Sequence, residues 1–499
     1  MNERSVVIVG GGIAGLAAGC YARMNGYRAN ILEMHKIPGG LCTAWKREGY
    51  TFDISMHMLI GSKSGPAHQM WRELGAVQGR QFHYHQELMR VESGSARLSY
   101  RPDPVDLERQ MLAISPADEK PIRAFTRLLC GPGMMNAMPL QAPEVMGRLD
   151  RARAMLSVLP VVPALLRCGD RTLQEFAEGF RSPFLRKAVR VAIDSPGWPM
   201  LQYPLVAVAG FNQVATECGV PIGGSQAVVL AIAERFRRLG GELRCRARVD
   251  DILVESDRAA GVRLEDGSEI RADVVIWAAD GHKAIFELLG ARYVDATVRA
   301  MYERWIPVRP LIHVALGVAR DMSKEPPRLT MELERPILVA GEARKWLSVL
   351  HHSFDPTMAP AGKAAVEVWY PTRHDYWATL SARRSEYEAE KKRIADVTIA
   401  ELDRRWPGFA AAVEVVDVPT PATYVRYTGN WQGSPDGWYI TPENMRSPAL
   451  RRLPGLSDFY MAGQWTAPFT GTVIAALSGR HVIQILCARD GVDFRATEP

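Results

Sequence analysis

The sequence predicts an α/β fold: a Rossmann-like nucleotide-binding domain, with a parallel sheet and a β-meander, carrying an inserted α+β domain on an antiparallel sheet. Three observations predict it. The chain opens on an apolar, β-branched run that ends in glycines and passes into a helix. A second block, about 219 to 290, again mixes a helix at regular apolar spacing with short strands. Between and after these blocks the α/β rhythm breaks. The expected division is therefore 1–62, 216–292 and 432–499 for the nucleotide-binding domain, and 63–215 with 293–431 for the inserted domain. At 499 residues the chain can build two cores.

Ser5 to Gly10 reads as a central parallel strand. Gly10, Gly12 and Gly15 form G-x-G-x-x-G. Gly10 permits the tight turn, Gly12 lets a pyrophosphate approach the backbone, and Gly15 lets the helix lie close on the strand. The helix amides then face the phosphates, and the helix dipole favours the negative charge. Arg28 to Glu33 is the second strand, and Glu33 stands where a carboxylate accepts a ribose hydroxyl. Strand, glycine turn, helix and acid together imply a dinucleotide.

Further on, Pro66–Leu74 and Pro121–Leu129 read as helices, with a strand at Leu88–Val91 and a strand end at Tyr100. Gly131-Pro132-Gly133 and residues 196–199 punctuate the region. Ala154 to Leu166 (AMLSVLPVVPALL) is apolar, edged by Arg151, Arg153 and Arg167, and its two prolines spoil a regular helix. Residues 151–167 are expected to be a lid over the cavity or a membrane-facing segment. In the second block, Ala227–Gly240 is the helix. Strands follow at Glu242–Cys245, Val249–Glu255, Gly261–Leu264, Glu269–Arg271 and Val274–Ala278, with Asp266-Gly267 as a hairpin turn. Leu311–Val318, Pro336–Ala340, Trp346–His351 and Ala364–Tyr370 suit an antiparallel sheet, followed by a charged helix, Ser381–Arg405.

Composition excludes several classes. Lys plus Arg number 61 against 55 acids, a mild surplus with no long basic run, so nucleic acid is not an expected partner. Seven scattered cysteines without C-x-x-C argue for a reducing compartment and against a dithiol centre. Cys42 reads as a packing residue. No ligand cluster has zinc spacing, so no metal is expected. The first strand leaves no room for a leader, and no apolar run reaches transmembrane length. The expected location is cytoplasmic, with peripheral contact at the inner face of the membrane.

Further motifs sharpen the reading. Pro38-Gly39-Gly40-Leu41-Cys42 follows Glu33, and Gly49-Tyr50-Thr51-Phe52-Asp53 precedes Met56-His57-Met58-Leu59-Ile60-Gly61. Near the end come Asp458-Phe459-Tyr460-Met461-Ala462-Gly463-Gln464-Trp465, then Gly471-Thr472-Val473-Ile474 and Ser478-Gly479. These resemble the flavoprotein family of amine oxidases, phytoene desaturases, carotenoid isomerases and retinol saturases. The Tyr50–Gly61 stretch looks like the desaturase, isomerase and saturase branch. The resemblance implies FAD as cofactor. It places FAD against Gly10, Gly12, Ile13, Ala14, Gly15, Glu33 and Met34, then Gly39, Gly40 and Leu41. Val249 would meet the adenine, and Gly463, Gln464, Thr472, Val473 and Ile474 would complete the site.

The resemblance also implies chemistry on C–C bonds of a long, apolar, isoprenoid or carotenoid-like substrate, by desaturation, saturation or isomerisation. The alternatives are an amine oxidase-like enzyme, favoured by Ala462-Gly463-Gln464-Trp465-Thr466, and a flavin-containing lipid carrier without catalysis. Leu41 stands where many relatives have arginine, and Gln464 replaces a common glutamate. The catalytic candidates are His57, which looks like a histidine found there in saturases, and Trp431. His351-His352 reads as a packing or surface pair.

Overall fold

Five strands form one parallel sheet, in spatial order Phe459–Met461, Val274–Trp277, Ser5–Val9, Arg28–Glu33 and Glu242–Cys245. The computed structural model describes residues 3–133, 138–191, 202–468 and 471–499. The punctuating residues 196–199 lie outside them. Ser5–Val9 is central and alternates its faces, as period-2 geometry requires. Val6 and Ile8 pack under the helices, while Val7 and Val9 pack against a three-stranded meander. The meander is Val249–Glu255, Arg258–Leu264 and Glu269–Arg271, antiparallel throughout.

Helix Ile13–Met24 is held between two others, Gly224–Arg238 and Thr472–Asp490. Small residues set these spacings. A Cβ on Gly479 would sit 2.4 Å from the Ala14 carbonyl oxygen, and one on Gly19 would sit 2.8 Å from the Phe236 ring. The contacts are backbone against helix, so a larger side chain has nowhere to go.

The second sheet has seven strands: Val413–Asp417, Leu311–Val318, Ala364–Pro371, Glu342–His351, Arg328–Val339, Met89–Ser93 and Ala96–Tyr100, in spatial order. It is antiparallel apart from one junction, where Arg328–Val339 runs parallel to Met89–Ser93. Two strands exceed their sequence reading. Arg328–Val339 begins before Pro336 because RLTMELER carries too many charges to look like a strand, and Glu342–His351 begins before Trp346 for the same reason. The two faces differ. Val314, Leu316, Val366 and Val368 pack beneath helix Arg384–Arg405 through Ile394 and Leu402. The opposite face carries His313, Glu367 and Trp369, in register across Leu311–Val318 and Ala364–Pro371.

The apolar, proline-bearing segment is a broken helix. Arg148–Val158 passes through a 3₁₀ turn, Leu159–Val161, into Val162–Cys168. Pro160 and Pro163 break it, since proline removes a helix hydrogen bond and clashes with the turn before. Met155 and Leu166 are 74% and 81% exposed.

Candidate active site

One cavity of about 530 Å³ runs between the two sheets, from the opening glycine turn to Tyr203 and Phe211. The glycines of the turn divide by what a methyl group would meet. On Gly10 it would lie 2.8 Å from the Ala278 carbonyl oxygen, and on Gly15 only 1.9 Å from that of Gly10. Those two glycines are required by the protein's own packing. On Gly12 it would meet nothing nearer than the Gly39 oxygen at 4.0 Å, and on Gly471 nothing within 4 Å. That space belongs to the cavity. Gly39 and Gly12 bridge in parallel, and the Gly39 amide donates to the Gly11 carbonyl at 2.9 Å, so the second glycine pair forms the other wall.

Two helices begin at this cradle, Ile13–Met24 after Gly12 and Thr472–Asp490 after Gly471, and neither has a side-chain cap. The start of Gly224–Arg238 provides the contrast. There the Asp53 carboxylate accepts from the Ser225 amide at 2.6 Å and from its hydroxyl. A protein carboxylate satisfies the helix that faces the protein. At the two helices that face the cavity a carboxylate reaches only a residue before the first turn, Asp436 accepting from the Gly471 amide at 3.1 Å and Glu33 from that of Gly11. Their first-turn amides carry no side-chain cap, an arrangement that suits a pyrophosphate.

Glu33 lines the same end with Met34, Arg248 and Val249. Its Oε2 accepts from the Gly11 amide at 2.8 Å and its Oε1 from the His35 amide at 2.7 Å. Burial raises its pKa, while these backbone donors favour the ionised form. Glu33 therefore fixes the glycine turn and stands at the cavity with lone pairs to spare.

The structure brings Gly10, Gly12, Ile13 and Ala14 to the cavity wall, with Gly39, Gly40 and Leu41 opposite and Gly463, Gln464 and Thr472 beyond. Gly15, Val473 and Ile474 stand off the wall. Cys42 lines it with its thiol pushed up to about 12 by burial, so it stays protonated and is no nucleophile.

Trp431 also stands off the wall. Its ring stacks on His282 at 4.7 Å and 6°, its amide donates to Asp280 at 2.7 Å, and it packs with Trp438 and Trp465. That is a joint between segments, and Asp280 is its pin: a second amide, from Lys283, donates to the same carboxylate at 2.8 Å. Burial pushes Asp280 up to about 6.

The far end of the cavity is lined by Met56, Met58, Leu88 and Met89 together with Tyr203 and Phe211. His57 lies on this wall, its ring 4.7 Å from Trp369. Burial, and then the nearby Arg328, hold His57 well below the ordinary histidine value, so it is neutral. The residue before it, Met56, has φ 65°, an uncommon backbone for methionine. Strain of this kind gathers where function demands a geometry. His352, read from the sequence as packing or surface, lies on this wall as well. Sequence alone gives it no signal, because it follows a strand that ends in another histidine. Among the described residues no group of three or more His, Cys, Asp or Glu is arranged to hold a metal ion.

Comparison with known proteins gives the family. The family model described as flavin containing amine oxidoreductase matches residues 13–482, and the chain belongs to that family. Among curated proteins it is 23% identical to the chloroplastic prolycopene isomerase of Daucus carota, over 98% of this chain and 80% of that protein. It is 26% identical to the lycopene-forming phytoene desaturase of Pseudescherichia vulneris, over 94% and 96%. Among solved structures, cyclohexylamine oxidase from Brevibacterium oxydans IH-35A superposes with a TM-score of 0.59 at 17% identity, over 98% of this chain and 100% of that one. An oxidoreductase from Methanosarcina mazei gives 0.56 at 16%, over 96% and 100%. At such identities the structures speak for the fold. The cofactor is FAD, and the chain is a FAD-dependent oxidoreductase.

Proposed function

We propose that this enzyme acts on C–C bonds of a long apolar substrate, an isoprenoid or carotenoid-like polyene, by desaturation, saturation or isomerisation. The observation that carries this reading is the cavity itself. It continues without a break from the glycine cradle into a wall of methionine, leucine and aromatic side chains. Methionine suits such a wall, because its unbranched thioether adapts to a long flexible chain. The names of the curated relatives, prolycopene isomerase and phytoene desaturase, point the same way.

FAD, when bound, supplies hydride exchange. The chain's own residues do the rest. Residues 1–62, 216–292 and 432–499 hold the cofactor, with Gly12, Gly40 and the uncapped helix starts at the pyrophosphate, and Glu33 and Val249 at the adenosine. Residues 63–215 and 293–431 build the substrate wall and exclude water. His57, neutral at that wall, is positioned to accept a proton.

The exposed apolar side chains of 148–168, edged by Arg148, Arg151, Arg153 and Arg167, form the surface through which a lipid substrate is taken from a membrane. Among the described residues no helix is long and apolar enough to cross one, so this contact is peripheral.

The test is extraction of the purified, flavin-loaded protein with organic solvent, followed by identification of what emerges beside FAD. A polyene or isoprenoid supports the reading. FAD alone, with peroxide released on adding amines, replaces it with an amine oxidase.

A further inference from the structure

The cavity-facing side of the seven-stranded sheet holds a polar cluster that the apolar substrate reading does not use. Glu367 is fully buried in Ala364–Pro371. One oxygen lies 3.3 Å from His313 Nε2 and the other 3.4 Å from His352 Nε2. The second oxygen also accepts from the Asp53 amide at 2.9 Å. These His–Glu distances are those of an ion pair, bent away from good hydrogen-bond geometry. Both ring nitrogens of His313, Nε2 of His352, one oxygen of Glu367, the Trp369 indole nitrogen and the Tyr424 hydroxyl are buried without a hydrogen-bond partner. Native interiors leave few such atoms, and each calls for a reason. Here the carboxylate supplies one and five more belong to its neighbours, beside the cavity.

We propose that His352, held by Glu367, is the proton donor at the substrate wall. The proposal rests on the polyene reading above. His352 lines the cavity, and with its Nε2 engaged by Glu367 the nitrogen left to serve a substrate is Nδ1. Glu367, Asp53 and Asp355 are the carboxylates that act on it, and His313 and Tyr424 neighbour Glu367 in turn. His57, His85, His351 and Arg328 complete the surroundings.

Their charges divide the imidazoles. Burial works against a proton on every one. For His352 it is outweighed by Glu367 first, then by Asp53 and Asp355, and its pKa is raised. For His57 it is reinforced by Arg328, and His85 falls to about 3 and His351 to about 4. Burial also opposes the charge on Glu367, but His313 and His352 drive its pKa far below the usual carboxylate range. One wall thus presents two imidazoles pushed apart, His352 toward the protonated form and His57 toward the neutral one. Groups whose environments push their pKa values apart are the mark of an assigned acid and base.

In the step proposed, the Nδ1–H bond of His352 breaks. A C=C electron pair of the conjugated chain takes the proton and forms a C–H bond. The positive charge passes to the polyene, where it is delocalised, and His352 becomes neutral beside a still-ionised Glu367. Rotation about the weakened bonds and return of a proton to Nδ1 restore the wall. The cycle isomerises the chain with no net change in atoms or electrons.

Two measurements test it on the flavin-loaded protein. Nitrogen NMR of histidine-labelled protein, with the His352 signal identified by its absence in His352→Gln, should show a protonated ring at neutral pH. A neutral ring overturns the proposal. Prolycopene in liposomes, incubated in heavy water, should gain deuterium. His352→Gln should lower that rate by about 10²–10⁴-fold, the span of general acid–base catalysis. It should leave polyene binding, read by tryptophan quenching, unchanged. Glu367→Asp should restore more of the rate than Glu367→Gln and keep His352 protonated. Exchange by His352→Gln at the wild-type rate overturns the proposal. If the polyene does not bind the wild type at all, the substrate reading fails, and the NMR titration alone decides the state of His352.

Discussion

Gly12→Ala separates what the fold needs from what the cofactor needs. Gly12 has φ −71° and ψ 179°, a conformation open to alanine, and the added methyl would meet no protein atom closer than 4.0 Å. In the cofactor-free protein the change should raise stability by about 0.4–1 kcal/mol, because it restricts the unfolded chain. The same methyl occupies the space through which a pyrophosphate reaches the first amides of Ile13–Met24. Two lost hydrogen bonds to a charged group, at about 1.5–3 kcal/mol each, sum to about 3–6 kcal/mol. That is a weakening of FAD binding by about 10²–10⁴-fold.

Gly15→Ala is the control. Its methyl would lie 1.9 Å from the Gly10 oxygen, so it should destabilise the protein with or without FAD, by about 1–3 kcal/mol or more. The assays are urea unfolding of both cofactor-free variants and titration with FAD. The reasoning is refuted if Gly12→Ala unfolds as early as Gly15→Ala, or if it binds FAD as tightly as the parent.

Three further outcomes are expected. His85, His351 and His481 have folded pKa values of about 3, 4 and 3, below their unfolded value. Their stability is present above that unfolded value and lost as pH falls toward the folded ones. From about pH 7.5 to 5.5 each costs about 1.4 kcal/mol. Asp53 and Asp280, raised to about 6 by burial, titrate oppositely and each returns about 0.8 kcal/mol, so these five groups together lose about 2.5 kcal/mol, and His57, held well below the ordinary value, adds to the loss. Urea midpoints at the two pH values measure this, and His481→Gln should remove about 1.4 kcal/mol of the slope. Glu73→Gln strands Arg480, whose side chain is 9% exposed and 3.3 Å from the carboxylate; a thermal or urea melt should show a loss of about 3–5 kcal/mol. Met155→Glu with Leu156→Glu, at sites 74% and 62% exposed, should abolish binding to anionic liposomes in a flotation assay and leave the melt unchanged. Retained binding removes 148–168 from the membrane contact.

Much of the nucleotide-binding fold was legible because local rules and tertiary demands coincide there. Arg28–Glu33 begins and ends where the sequence places it, since one apolar face, one glycine turn and one terminal acid specify it. Leu311–Val318 was equally plain. The polar wall was not. Ala364–Tyr370 reads as an apolar strand, and nothing in the sequence singles out its one acid, Glu367. In the sheet it is fully buried, because its partners are His313, on a neighbouring strand, and His352, just past the end of another, and only three-dimensional packing unites them. Trp431 was misleading in the opposite sense. The sequence offers it as a catalytic candidate, but its ring stacks on His282, a joint off the wall, while Tyr427, Thr428 and Asn430 before it line the cavity. Side-chain direction, which no spacing rule sets in a loop, decided the matter.

The order of strands in the parallel sheet also has a consequence for biosynthesis. The glycine turn is translated long before its sheet is completed by Phe459–Met461 and its helix is buttressed by Thr472–Asp490. A ribosome that has just delivered the opening motif holds half a cradle, with the second helix start still hundreds of codons away. The nascent chain must keep its apolar first strand shielded throughout that interval. Cofactor capture is thus a late event, which reports that the last helix has docked and makes flavin content a direct gauge of completed folding.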